Sequence, residues 1–240
     1  MALILKDNVG DAPFLPEELE SSNWKLTDVD RMLLQQTNEE YEPHDWEDLK
    51  SIVAHNKLDL FKRLPSHLRR YLRWSVAIKS QYNGILPFIC KERLHWEYNT
   101  GGIPFKNPIP FGNTSDFCIR LNDWPYGVGS EITHLVVWLK TPFAVREDGE
   151  LTSESRARIE TFVIATFAQR LVGDGHPSEP EDRVIWFKNW TSLQSVSAVE
   201  HFHVMLRDVS VALIESWVGE RNMETIADTV TMGESRTVLR

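Results

Sequence analysis

Hydrophobic residues along this chain recur with two different periods, and the change from one to the other divides it. Up to about residue 100 the spacing is helical. Leu68, Tyr71, Leu72 and Val76 recur at i, i+3, i+4 and i+8, which predicts a helix over 66–82 with Ser66 as its N-cap and Arg69, Arg70 and Arg73 on the other side. Shorter helices are expected over 28–36, capped by Thr27 or Asp28, over 45–54, and over 85–96. A loop follows at 100–114, where three prolines and three glycines gather. Beyond it, apolar runs over 117–122, 132–139, 184–190 and 201–206 read as strands. Between the second and third lies a long amphipathic helix over 151–172, capped by Thr152 or Ser153, with Ile159, Phe162, Val163, Thr166 and Phe167 on one face. A last helix is expected over 211–221.

Helices early and strands late define an α+β chain: an antiparallel sheet with one long helix, preceded by a helical N-terminal region. Residues 1–50 read as an acidic arm anchored by Trp24, Tyr41 and Trp46. Residues 51–240 read as a single α+β domain, with a helical part at 51–100 and a sheet-bearing core at 115–210. Charge follows the same division. The arm carries 13 acidic and 4 basic side chains, whereas 57–93 carry 9 basic and 2 acidic, a basic island inside a chain of net charge −9. Such an island is either a solvated face or a phosphate-binding surface. Absence of a run of about 18 apolar residues argues against a membrane span. The early charges Lys6, Asp7 and Asp11 and only two cysteines, Cys90 and Cys118, lead to the expectation of a cytoplasmic protein.

Candidate chemistry concentrates in 183–207. His201 and His203 are two apart in a strand, so both imidazoles face one way, as a base, a nucleophile or a metal ligand would require. The alternative is a pair of half-buried histidines satisfied by backbone carbonyls. No phosphate-cradling glycine loop is present, and no further ligand stands at zinc spacing, so no cofactor or metal is expected.

Residues 116–207 give strand, Pro-containing turn (Asp123, Trp124, Pro125, Tyr126), a strand with His134, Val136, Val137 and Lys140, a long helix, a strand ending at Asn189, and a strand with His201 and His203. That order resembles the histidine-triad superfamily, and implies a histidine-triad-like sheet and, as is common there, a homodimer. The triad itself departs from the family, because Met205 stands where a third histidine would fall. Over 65–207 the phrases RYLRWSVAIKSQYNGILPFICKERLHW, LNDWPYGVG, ITHLVVWLK and VIWFKNWTSLQSVSAVEHFHVML resemble the fungal N-acetylglucosamine-induced protein family. Its relatives include fungal arginine-containing cyclodipeptide synthases, which join arginine from arginyl-tRNA to a second aminoacyl residue.

This resemblance implies an aminoacyl-tRNA-dependent acyltransferase, with arginyl-tRNA and a second aminoacyl-tRNA as partners. His203 or His201 would then serve as base or acyl carrier, and Asn189 or Lys188 would hold the oxyanion. Asp123, Glu131 or Glu200 would pair with the substrate guanidinium, His134, Trp124 and Trp190 would line the substrate pocket, and the basic residues Lys62, Arg63, Arg69, Arg70, Arg73 and Lys79 would meet the tRNA. Each also has a plainer role: Glu200 tuning the histidines, His134 as a satisfied core residue, Asp123 as a turn former, and Trp124 and Trp190 as core or pocket wall. Two other functions fit the same residues. One is a histidine-triad-like hydrolase or transferase of nucleotides or sugar nucleotides, and the other a non-catalytic regulatory protein of amino-sugar metabolism.

Overall fold

The computed structural model describes Trp24 and residues 26–194 and 196–219. Its centre is a four-stranded, wholly antiparallel sheet in the order β1-β2-β4-β3. The strands are β1 (Phe117–Leu121), β2 (Ile132–Leu139), β3 (Val184–Phe187) and β4 (Glu200–Arg207). Pairing of β2 with β4 places Leu135 opposite Val204, Val137 opposite Phe202 and Leu139 opposite Glu200. Residues directly opposite point to one face. On this face lie Leu135, Val137, Phe202, Val204 and Leu206, packed against Ile159, Val163 and Phe167. Those three come from the helical segment that starts with α5 (Ser153–Val163) and continues through a π turn, Ile164–Ala168, to Gln169–Leu171. Thr152 caps it, accepting from the Ser155 amide. Helix α6 (Val211–Val218) closes the same layer through Ile214 and Val218.

The alternate positions of the sheet, His134, Val136 and Trp138 on β2 and His201, His203 and Met205 on β4, face the opposite way. A second layer of helices covers them: α1 (Asp28–Leu34), α2 (Trp46–Ala54), α3 (Pro65–Tyr82), and α4 (Ile85–Phe88) with its π continuation Ile89–Leu94. Trp46, Leu49 and Ile52 of α2 pack with Ile185 and Met205, and Trp74 and Ile78 of α3 pack with Phe88, Ile89 and Trp124. Helix α2 runs across residue 50, and Asp45 caps it with a reciprocal Asp48 pair. Residues 201–206 are therefore buried on both faces.

Several predicted details change. Ser66 is not the cap of α3: Leu64 takes that position and Pro65 is the first helical residue, where its missing N–H costs nothing. Ser66 instead joins α3 to the Asn38 side chain through its amide and hydroxyl. Val76 is 53% exposed, because α3 turns Leu68 and Leu72 to α1 and Trp74 and Ile78 to α4, and no face remains to cover it. Strand β3 ends at Phe187 rather than 190, and β4 is longer than expected at both ends. The predicted end of the last helix at 220–221, and residues 1–23 of the acidic arm, lie outside the described residues. Among the described residues no helix is long and apolar enough to cross a membrane.

Candidate active site

His201 sits opposite Trp138 in the register, with ring centroids 4.7 Å apart. Its Nδ1 lies 2.8 Å from the Val199 carbonyl, which can only accept. Nδ1 therefore carries the proton and Nε2 the lone pair. Among the described residues nothing hydrogen-bonds to that Nε2. Burial lowers the pKa of this imidazole, so near neutral pH it is an uncharged base.

His203 belongs to a buried polar chain whose proton positions follow from its ends. Asn122 accepts from the Trp124 amide through Oδ1 at 3.0 Å, so its Nδ2 faces the His134 ring, 3.3 Å from Nδ1. The Tyr126 amide also points at His134 Nδ1, at 3.4 Å. Asn122 Nδ2 lies equally near Nε2, at 3.2 Å, and does not choose between them, so it is the Tyr126 amide that makes Nδ1 the acceptor and places the proton of His134 on Nε2. From there it is donated over 3.0 Å to His203 Nδ1, which leaves His203 Nε2 as a donor. The next group is the Asn189 amide, at 3.2 Å from His203 Nε2 and 3.3 Å from the Tyr126 hydroxyl. Its Nδ2 occupies that place in the structure and Oδ1 is buried without a partner. Rotation of the amide by half a turn, which leaves its shape unchanged, offers Oδ1 to both donors and satisfies the chain. It also turns Nδ2 into the free donor. His134, from the neighbouring strand, stands directly opposite Met205.

Desolvation drives His134 down to about 3 and His203 well below its ordinary value of 6.5, with the neighbouring positive charge of Arg63 adding to both. The unfolded chain therefore binds more protons than the native one below about pH 6.5. Native stability is expected to be flat above that value and to fall as the pH drops, by about 1.4 kcal/mol per pH unit for each such imidazole. Urea denaturation at stepped pH would measure the slope; equal midpoints at pH 5 and pH 7 would contradict the neutral buried chain.

These groups line a cleft between the sheet and the helical layer. An inner cavity of about 90 Å³ is bounded by His201, His203, Asn189, Trp124, Trp138 and Arg63. An outer one of about 340 Å³ extends between α3 and residues 192–194. Arg63, Tyr71 and Tyr126 border both and form the neck. The Arg63 guanidinium lies over the rings of Tyr71 and Tyr126, at 4.7 and 5.4 Å from their centroids.

Of the residues expected at the site, His201, His203, Asn189, Asp123, Trp124 and Arg63 reach the inner cavity, and His134 supports it from behind. Others do not. Lys188 cannot hold an oxyanion there, because alternation turns it away from the histidines and its Nζ pairs with Glu200 Oε1 at 3.1 Å. Glu200 is committed on both oxygens, the second accepting from the Phe143 amide, and is no substrate ligand. Glu131 is exposed, precedes β2 and is not among the residues that line the cleft. Trp190 donates to Asn56 and lines a neighbouring hollow that meets the inner cavity only at Asn189. Asp123 lies in the wall, but its carboxylate takes two hydrogen bonds from Arg93, so the partner proposed for a substrate guanidinium already has an internal one.

The basic island is also not the surface it seemed. Arg69 and Arg70 are only 6% and 5% exposed. Arg69 donates to the Gln36 carbonyl just past the C-terminus of α1, so it ties two helices together rather than meeting tRNA. Arg73 is half-buried and has partners of its own. Lys62 bonds the Glu42 carbonyl and lies near the Tyr41 ring, while Lys79 is exposed at the outer cavity. Asn122 and Tyr71 were missed, although Asn122, two residues before Trp124, had the spacing of an Asx turn.

Fold and site together define an α+β protein in which a helical layer closes a histidine-bearing cleft over one face of an antiparallel sheet. The crystal structure of HTC1 shares this fold, with a TM-score of 0.56 at 23% identity over 78% of this chain and 96% of that one. A family described as protein of unknown function (DUF3605) matches residues 45–207, and the chain belongs to it. It is similar to N-acetylglucosamine-induced protein 1 of Candida albicans, with 25% identity covering 77% of this chain and 76% of the relative. It is also similar to the uncharacterized protein YPL067C of Saccharomyces cerevisiae, at 28% identity over 70% and 81%.

Proposed function

We propose that the chain is a histidine-dependent acyltransferase that takes aminoacyl groups from tRNA, arginyl-tRNA first, and releases an arginine-containing cyclic dipeptide. The observation that carries this reading is His201, a neutral imidazole with Nδ1 tied to the backbone and Nε2 left for chemistry in an aromatic-walled cleft. His201 Nε2 accepts the proton of one α-amine as that amine attacks the ester carbonyl of the second aminoacyl group. The ester C–O bond breaks and the proton passes to the departing ribose oxygen. A second attack within the dipeptidyl ester closes the six-membered ring and frees the other tRNA. Because the esters are already activated, no nucleotide is consumed. The Asn189 amide donates to the carbonyl oxygen as it gains charge. Histidines on a central strand with an asparagine beside them, and His134 opposite Met205 in place of a third histidine, support a histidine-triad-like reading of the site.

Purified protein incubated with arginyl-tRNA and a panel of other aminoacyl-tRNAs is expected to yield a mass of arginine plus a second residue, lost on ribonuclease treatment. No product across the full panel would remove the reading. A second reading, nucleotide or sugar-nucleotide transfer, is favoured by Arg63, a cation at the neck with no carboxylate partner among the described residues. It requires turnover of nucleoside phosphoramidates or sugar nucleotides, and flat time courses on both would exclude it.

A further inference from the structure

We infer that the neck of the cleft is an anion-binding subsite in which Arg63 and Trp124 hold a phosphate group of the ligand. Three polar groups bordering the inner cavity are buried without a partner among the described residues: Arg63 Nε, Trp124 Nε1 and one atom of the Asn189 amide. Trp124 and Asn189 are 5% and 7% exposed, so bulk water does not account for them. An orphaned buried donor is costly, and two donors beside one fixed positive charge select an acceptor that is itself negative.

The guanidinium spends its flat face on the Tyr71 and Tyr126 rings, which leaves its edge, where the N–H groups lie, for an anion. Its own neighbours do not neutralise it. Asp30 and Asp59 line the outer cavity, yet no ion pair among the described residues joins either to Arg63, and Asp30 accepts from the Thr27 amide in the cap of α1. The positive charge also acts on the histidines, as its depressing effect on His134 and His203 shows. An anion seated at the neck would offset that one charge, while desolvation, the larger cause at both histidines, would remain.

The subsite rests on the cleft and not on the acyl-transfer reading. It suits equally the phosphodiester next to the terminal adenosine of a tRNA and the phosphate of a free nucleotide. Titration of the full chain with adenosine 5′-monophosphate and with adenosine, followed by the fluorescence of the cavity tryptophans or by calorimetry, tests it. The monophosphate is expected to bind at least about tenfold more tightly than the nucleoside, the margin that one charge-assisted contact supplies. Arg63→Gln should erase that margin, Arg63→Lys should keep part of it, and Trp124→Phe should narrow it. His201→Ala should leave it intact, so a failure here and a failure of the acyl-transfer reading are distinguishable. A cytidylyl-cytidylyl-adenosine trinucleotide binding more tightly than the monophosphate assigns the subsite to an RNA end, and the reverse order to a free nucleotide. Equal affinity for monophosphate and nucleoside, no binding of either at millimolar concentration, or an unchanged margin in a folded Arg63→Gln would each overturn the inference.

Discussion

His201→Ala is expected to lower turnover of the aminoacyl substrate by about a thousandfold, within the range by which a positioned general base speeds a proton transfer. Among the buried imidazoles His201 alone keeps a lone pair uncommitted, since His134 and His203 use both ring nitrogens in the chain from Tyr126 to Asn189. Truncation gives up one hydrogen bond to the Val199 carbonyl and a tilted ring contact with Trp138, so the fold should survive. His203→Ala differs in kind. It strands the Nε2 proton of His134 and the Asn189 amide in a dry interior, and should cost stability as well as rate. Kinetics of both variants beside their thermal unfolding separates base from scaffold. Turnover within a few-fold of the parent in a folded His201→Ala would shift the chemistry to another group.

The largest effect on stability is expected at Arg183. This side chain is 0% exposed, and its guanidinium donates to the carbonyls of Arg207 and Asp208 and, at 2.6 Å, to Asp174 Oδ2. It therefore joins the entry of β3 to the exit of β4, where Asp208 adopts the left-handed φ of 53° that turns the chain toward α6. Arg183→Met keeps most of the volume and removes every donor, leaving two carbonyls and a carboxylate facing an apolar end. Asp174 is exposed and stays solvated, so the cost comes from the two carbonyls that lose a charged donor, about 1.5–3 kcal/mol each, which for a chain of this size lowers Tm by roughly 10 °C. Arg183→Lys should recover only a fraction, because an ammonium cannot reach three acceptors set in a plane. A melting temperature of Arg183→Met close to that of the parent would show that the strand ends are held by packing alone.

Periodicity made the framework legible. Alternation placed all four strands and showed that His201 and His203 share a face, and Thr27 and Thr152 mark helix starts that the structure keeps. What failed did so for one recurring reason: the sequence shows which residues share a face, but not what is laid over it. Arg69, Arg70 and Arg73 had the spacing of a solvated basic stripe, yet α3 is packed between α1 and α4, and two of these three guanidiniums are enclosed. Glu200 stood beside the histidines in the chain and points away from them, because adjacent strand residues face opposite sides.

The sequence by itself thus determined the α+β order, the strand faces and the presence of a paired imidazole, all properties of local period and of neighbours in the chain. Only the tertiary structure decided which imidazole is free. That outcome depends on contacts across strands and between layers: His134 reaching His203 from β2, opposite the Met205 that had seemed a loss, and Val199 holding His201. It depends as well on a helical layer that removes water from the sheet and brings Arg63 to the neck of the cleft. Desolvation and long-range contact fix protonation and chemistry, and neither is encoded in the spacing of residues along one strand.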